Sequence, residues 1–85
     1  MNQRPLTWQK AATRDLRGLD RQLAERIVAA LRRLGDAGVG DVRALAGNPH
    51  GGTHRLRVGD WRAILLLTGD VIVVLRVLHR REAYR

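Results

Sequence analysis

Residues 53–85 read THRLRVGDWRAILLLTGDVIVVLRVLHRREAYR, and this stretch constrains the fold more than any other. Over 53–58 the residue types alternate. Arg55 and Arg57 point one way and Leu56 and Val58 the other, the pattern of a half-buried strand. Gly59–Asp60 is a two-residue turn signal. A second strand follows over 61–67, then a turn at Thr68–Gly69–Asp70 and a third strand. Closing the first hairpin tightly sets Val58 against Trp61 and Arg57 against Arg62. Like charges directly opposite are destabilising. Either the two guanidiniums splay into water, or the cost is borne because the sheet receives a polyanion; we favour the second.

The second hairpin admits two registers. A two-residue loop at Gly69–Asp70 sets Arg76 against Ala63, on the Trp61 side, which places a charge in the core. A three-residue loop sets Leu67 against Val71 and Arg62 against Arg76. One face is then apolar: Leu56, Val58, Trp61, Ala63, Leu65, Leu67, Val71, Val73, Leu75 and Val77. The other carries Arg55, Arg57, Arg62, Arg76 and Arg80, with Ile64, Leu66, Ile72 and Val74 farther along. The second register separates charge from core and is preferred, unless a bulge intervenes.

The preceding residues supply the cover for that sheet. Leu6 and Trp8 alternate with Thr7 and Gln9, a short first strand whose Pro5 suits an edge. Residues 10–19 form a short helix with Ala11, Ala12, Leu16 and Leu19 on its apolar side and Arg14, Asp15 and Arg17 in water. Asp20 caps a main helix over 21–34, where Leu23, Ile27, Leu31 and Leu34 make one stripe. Arg32 and Arg33 occupy its last turn, and Gly35 is the stop. Residues 36–52 are rich in glycine and read as a connector, with a short helical turn at 42–46 holding Leu45 inward.

With 85 residues the chain is long enough for one small domain, 1–85. It has no cysteine, which excludes a disulfide scaffold or thiolate metal site. Its apolar runs are too short to span a bilayer, so a cytoplasmic protein without membrane attachment is expected. The net charge is +8 and sixteen residues are Lys or Arg, of which only Lys10 is Lys. Guanidinium forks suit phosphate and carboxylate, so a nucleic acid or an acidic protein is the expected partner. A genome rich in Arg codons accounts for the count of arginines but not for their placement. There is no phosphate-binding GxxxxGK[ST] loop. His50, His54 and His79 are dispersed, and no metal or cofactor is implied. Strand alternation turns His79 toward the apolar side, as a structural residue.

HRLRVGDWRAILLL at 54–67 and DVIVVLRVLHRREAYR at 70–85, with A-x-R-D-L from Ala12 to Leu16 before a long helix, resemble the RelE/ParE superfamily of bacterial type II toxins, and its RelE branch in particular. The resemblance implies an α+β fold, an N-terminal strand and two helices packed on one face of a small, mainly antiparallel twisted sheet. It implies a toxin that cuts mRNA in the ribosomal A site, without metal, by attack of the RNA 2′-hydroxyl on the adjacent phosphate. Carried over by position, Arg62, Arg80 and Tyr84 fall on catalytic positions. Arg55 and Arg57 fall beside the mRNA, with Arg76, Arg81 and His54 as further substrate contacts. An antitoxin forming a hetero-oligomer and the ribosome are the implied partners. A gyrase inhibitor of the ParE type and a catalytically inactive basic module are the alternatives.

Overall fold

The computed structural model describes residues 3–45 and 53–83. The chain runs β1 (Leu6–Trp8), α1 (Lys10–Arg17), α2 (Arg21–Ala37), β2 (Val42–Ala44), β3 (Thr53–Val58), β4 (Trp61–Leu67), β5 (Ile72–His79) and α3 (Arg80–Ala83). The strands form one sheet ordered β1-β5-β4-β3-β2. Among the described strands only the β1–β5 pair is parallel. The core lies between this sheet and the helices: Ala12, Ile27 and Leu31 pack with Leu56, Ala63, Leu65, Ile72, Val74 and Val77. Burying each of the larger aliphatic side chains contributes about 2–3 kcal/mol.

Asp20 caps α2 as the sequence predicts, its Oδ1 accepting from the Gln22 N–H at 2.8 Å and the Leu23 N–H at 3.4 Å. The predicted stop is displaced. Gly35 is buried inside the helix, and a Cβ there would lie 2.6 Å from the Arg4 carbonyl oxygen. Gly35 therefore permits close approach of the chain entering β1, whose Arg4 N–H donates to its carbonyl at 2.9 Å. The helix ends at Gly38, whose φ of +70° is the left-handed conformation glycine allows. Arg32 and Arg33 consequently lie before the last turn. The helical turn predicted at 42–46 is instead β2, paired antiparallel with β3; alternation of Val42, Arg43 and Ala44 along the β3 edge overrides the local signal. Residue 46 lies outside the described residues.

The β3–β4 hairpin has the predicted register, Val58 against Trp61 and Arg57 against Arg62. Its turn begins at Gly59, with φ +60°, as a II′ turn demands. The β4–β5 pairing differs from expectation. Near the turn Leu67 pairs with Ile72 and Leu65 with Val74, the register of the two-residue loop. The Thr68 N–H closes it on the Val71 carbonyl at 3.1 Å, and Thr68 Oγ1 accepts from the Asp70 and Val71 N–H groups. A β-bulge then intervenes: Leu65 faces Val74 but Ile64 faces Arg76, leaving Leu75 unmatched. The extra residue reverses the alternation. Ile72 and Val74 enter the core in place of the predicted Val73 and Leu75, while Val77 stays inside. Both requirements are met, a tight turn and an Arg76 kept away from Ala63.

Candidate functional site

The antiparallel register puts four arginines on the face away from the core residues. Arg43 of β2 lies opposite Arg55 of β3, and Arg57 lies opposite Arg62 of β4. Arg43 escapes the sequence pattern, because residues 42–46 carry a local helical signal where an alternating edge strand forms. Arg55 and Arg62 are held tightly, at 9% and 8% exposure; Arg43 and Arg57 are exposed.

The Gly59–Asp60 turn gathers three arginines. The Gly59 carbonyl accepts from Arg62 Nη1 at 2.9 Å and from Arg57 Nε at 3.4 Å. Arg62 Nη1 also reaches the Trp61 carbonyl at 3.0 Å. The Asp60 carbonyl accepts the Arg80 N–H at 2.7 Å, and Arg80 Nε stands 3.9 Å from Asp60 Oδ1. Arg80 thus joins the cluster, but from the first residue of α3 rather than from the final strand. Backbone carbonyls orient the Arg57 and Arg62 guanidiniums without neutralising them. Two carboxylates stand close: Asp60, and Asp41 at 4.0 Å from Arg55 Nη1. Neither contact is a short ion pair. Arg55 Nη1 and Arg62 Nε are shielded from solvent and have no hydrogen-bond partner among the described residues. Buried cationic donors in that condition favour an incoming anion.

Arg76 also lies on this face by register, opposite Ile64, yet it stands outside the cluster because its charge is already met. The Asp15 carboxylate takes it in a bidentate pair, Nε to Oδ2 at 2.8 Å and Nη2 to Oδ1 at 3.1 Å. Asp15 Oδ2 also accepts the Val77 N–H at 2.9 Å, on the stretch of β5 beyond its pairing with β1. Burial pushes the Asp15 carboxyl up, but the Arg76 and Val77 hydrogen bonds and the Arg76 and Arg14 charges together hold it below its usual value. The expectation that Asp15 stays in water is therefore corrected. Its spacing of three from Ala12 aims it at the sheet, a signal the sequence did carry.

His54 lies opposite Leu65 and Ala44, on the core-facing alternation and half-buried, so it sits on the other side of β3 from the arginines. His79 lies opposite Trp61 and meets its ring edge-on at 5.3 Å; its Nδ1 accepts the Arg81 N–H at 3.3 Å. That contact fixes the start of α3, with the Arg81 residue exposed. Tyr84 lies outside the described residues. Among the described residues no three His, Asp or Glu side chains converge as a metal site.

Residues 6–84 match the family model described as the ParE toxin of the type II toxin–antitoxin system parDE. The chain belongs to this family, within the RelE/ParE toxin superfamily. No curated protein matches it by sequence. Among solved structures it is similar to the toxin–antitoxin complex RelBE2 from Mycobacterium tuberculosis, with 25% identity and a TM-score of 0.78 over 94% of each chain. It is likewise similar to the archaeal RelE–RelB complex from Pyrococcus horikoshii, with 25% identity and a TM-score of 0.73, covering 94% of this chain and 97% of that one. The chromosomal ParDE system of P. aeruginosa shares the fold, with 17% identity and a TM-score of 0.71 over 93% of this chain and 98% of that one. RelE-type and ParE-type relatives therefore share one architecture: helices on one face of a mainly antiparallel sheet.

Proposed function

We propose that the chain is the toxin of a type II toxin–antitoxin pair and a ribosome-dependent mRNA endonuclease acting in the A site. The observation that supports this reading is the arginine face. Five guanidiniums, of Arg43, Arg55, Arg57, Arg62 and Arg80, stand around one sheet end, those of Arg57 and Arg62 oriented by the Gly59 carbonyl, and the group is only loosely countered by Asp41 and Asp60. In the proposed reaction the RNA O2′ attacks the adjacent phosphorus and the P–O5′ bond breaks. The products are a 2′,3′-cyclic phosphate and a 5′-hydroxyl; one proton leaves O2′ and one reaches O5′. Guanidiniums remain protonated, so their part is to hold the non-bridging oxygens and meet the charge that grows on them. Arg62 and Arg80 form this clamp in the proposal, Arg55 and Arg57 align the strand, and Tyr84 stacks on a base. Arg76, engaged by Asp15, is left out of it. Arg81 lies next to the clamp as a further phosphate contact.

An antitoxin is the proposed protein partner, by analogy with the relatives solved as toxin–antitoxin complexes. Among the described residues no helix is long and apolar enough to cross a membrane, and the proposed place of action is the cytoplasm, where ribosomes are.

The test is primer extension on mRNA recovered from translating ribosomes. New 5′ ends within A-site codons are expected, and they should disappear with Arg80→Ala or Tyr84→Ala. The description of the matching family as ParE toxins favours a second reading, inhibition of DNA gyrase. Intact mRNA together with blocked DNA supercoiling would replace the first reading by the second.

A further inference from the structure

A second basic surface lies at the opposite edge of the sheet, around Trp8. One recess, of about 360 Å³, is lined by Trp8, Lys10, Thr13, Arg14 and Arg17. A neighbouring one, of about 450 Å³, shares Trp8 and adds Arg4, Arg32 and Asp36. Lys10, Arg14 and Arg17 are exposed and spaced four and three apart, so they form one stripe along α1. Like charges at this spacing weaken a helix. Neither recess offers the stripe a carboxylate of its own: Asp15 is engaged by Arg76, and Asp36 lines only the other recess. Five cations therefore surround one half-buried indole, and of the two acids beside them Asp15 is bound by Arg76 and Asp36 lines only the second recess.

The indole is rigidly mounted. Trp8 pairs with Val74 of β5, and the following Gln9 N–H donates to the Val74 carbonyl at 3.0 Å. A fixed aromatic ring loses little entropy when a base stacks on it. The surface is separate from the arginine face: β1 and β2 are the two outer strands, and Trp8 is level with Val74 and Leu65, away from the Gly59–Asp60 turn.

We propose that this edge binds single-stranded RNA, the α1 stripe taking successive phosphates and Trp8 stacking on a base. An acidic peptide would satisfy the cations, but its carboxylates have no π-face to set against the indole; a nucleotide supplies both partners. The inference goes beyond the cleavage reading, since it concerns another edge and no reaction.

The probe is a fluorescein-labelled 12-nucleotide oligoadenylate, titrated by anisotropy over a range of salt concentrations. The background variant is Arg57→Ser with Arg80→Ser, which removes exposed charges of the other face. Saturable binding should persist in that background even though cleavage is lost, so the two proposals fail separately. Adding Lys10→Ser, Arg14→Ser and Arg17→Ser should weaken binding more than tenfold and flatten the log K against log salt slope by about 2. Trp8→Leu should weaken binding about tenfold with the slope unchanged, and Trp8→Phe, which keeps a stacking face, should retain most of the affinity. No binding in the background variant, or an unchanged slope on removing the stripe, overturns the proposal. So does tighter binding of a glutamate-rich peptide of equal charge.

Discussion

Arg62 and Arg76 sit on adjacent strands and carry the same group, yet the fold treats them in opposite ways. Arg62 is buried, and its Nη1 is steered by the Gly59 and Trp61 carbonyls. Those carbonyls satisfy hydrogen bonds and leave the charge uncompensated. Arg76 is far more exposed, its side chain at 47%, yet it is fully paired with Asp15. Burial does not mark the spent arginine here; the presence of a carboxylate does. The difference originates at Leu75. Without the bulge, the tight β4–β5 register would turn Arg76 onto the core face opposite Ala63. With it, Arg76 lies opposite Ile64 and the neighbouring Val77 N–H is turned to the sheet edge, where Asp15 binds both.

The sharpest way to break this comparison is to truncate each arginine. Arg62→Ala should lower A-site cleavage by about 100- to 1000-fold, the scale of losing one donor at a developing oxyanion. Arg76→Ala should leave cleavage within a few-fold of the parent while lowering the melting temperature. Equal losses of cleavage in both variants would erase the distinction. Removing the carboxylate comes next. Asp15→Ala orphans the part-buried Val77 N–H and frees Arg76, and should cost about 2–3 kcal/mol in a denaturant titration. Gly59→Ala is expected to be milder. The added Cβ meets only Arg26 Nη2 at 3.6 Å, an ordinary contact, so the loss is the left-handed backbone alone, about 1–2 kcal/mol. It should, however, disturb the carbonyl that orients Arg57 and Arg62, reducing cleavage more than stability. The smallest expected effect is on pH dependence. Asp15 has a carboxyl held below its unfolded value, so its contribution is present above the unfolded pKa and is lost as pH falls through the folded one. Stability should decline below about pH 4, and that decline should be shallower in Asp15→Asn.

The sequence carried the parts of this architecture that depend on short-range patterns. The hairpin from Thr53 to Leu67, its Gly59–Asp60 turn, the Asp20 cap and the Ile27–Leu31 stripe follow from alternation, turn chemistry and helical spacing within a few residues. So does the confrontation of Arg57 with Arg62, on which the candidate site rests. What escaped were features decided by distant partners. Gly35 reads locally as a helix stop, but its missing side chain answers to Arg4, which lies across the fold. Val42 to Ala44 pairs only once β3 offers an edge, and this hid Arg43 from the candidate site. For the β4–β5 pairing, alternation favours the three-residue loop and leaves room for a bulge without placing it. The chain uses the two-residue register at the turn and shifts by a residue at the bulge, a solution that alternation alone does not encode. The resemblance to the RelE/ParE toxins is confirmed by the family match and by the fold, whereas the roles of individual arginines rest on the experiments above.

The parallel pairing of β1 with β5 has a consequence for how the molecule is made. Leu6 to Trp8 are synthesised well before Ile72 to Val74, the strand segment they pair with among the described residues. Contacts of such long sequence separation are slow to form because a long loop must close first. The β3–β4–β5 meander needs only short loops and can assemble on its own schedule. β1, and the Trp8 it carries, must wait for β5. A nascent chain therefore lacks its completed edge until β5 has emerged, which leaves an interval in which a partner can bind before the sheet is closed.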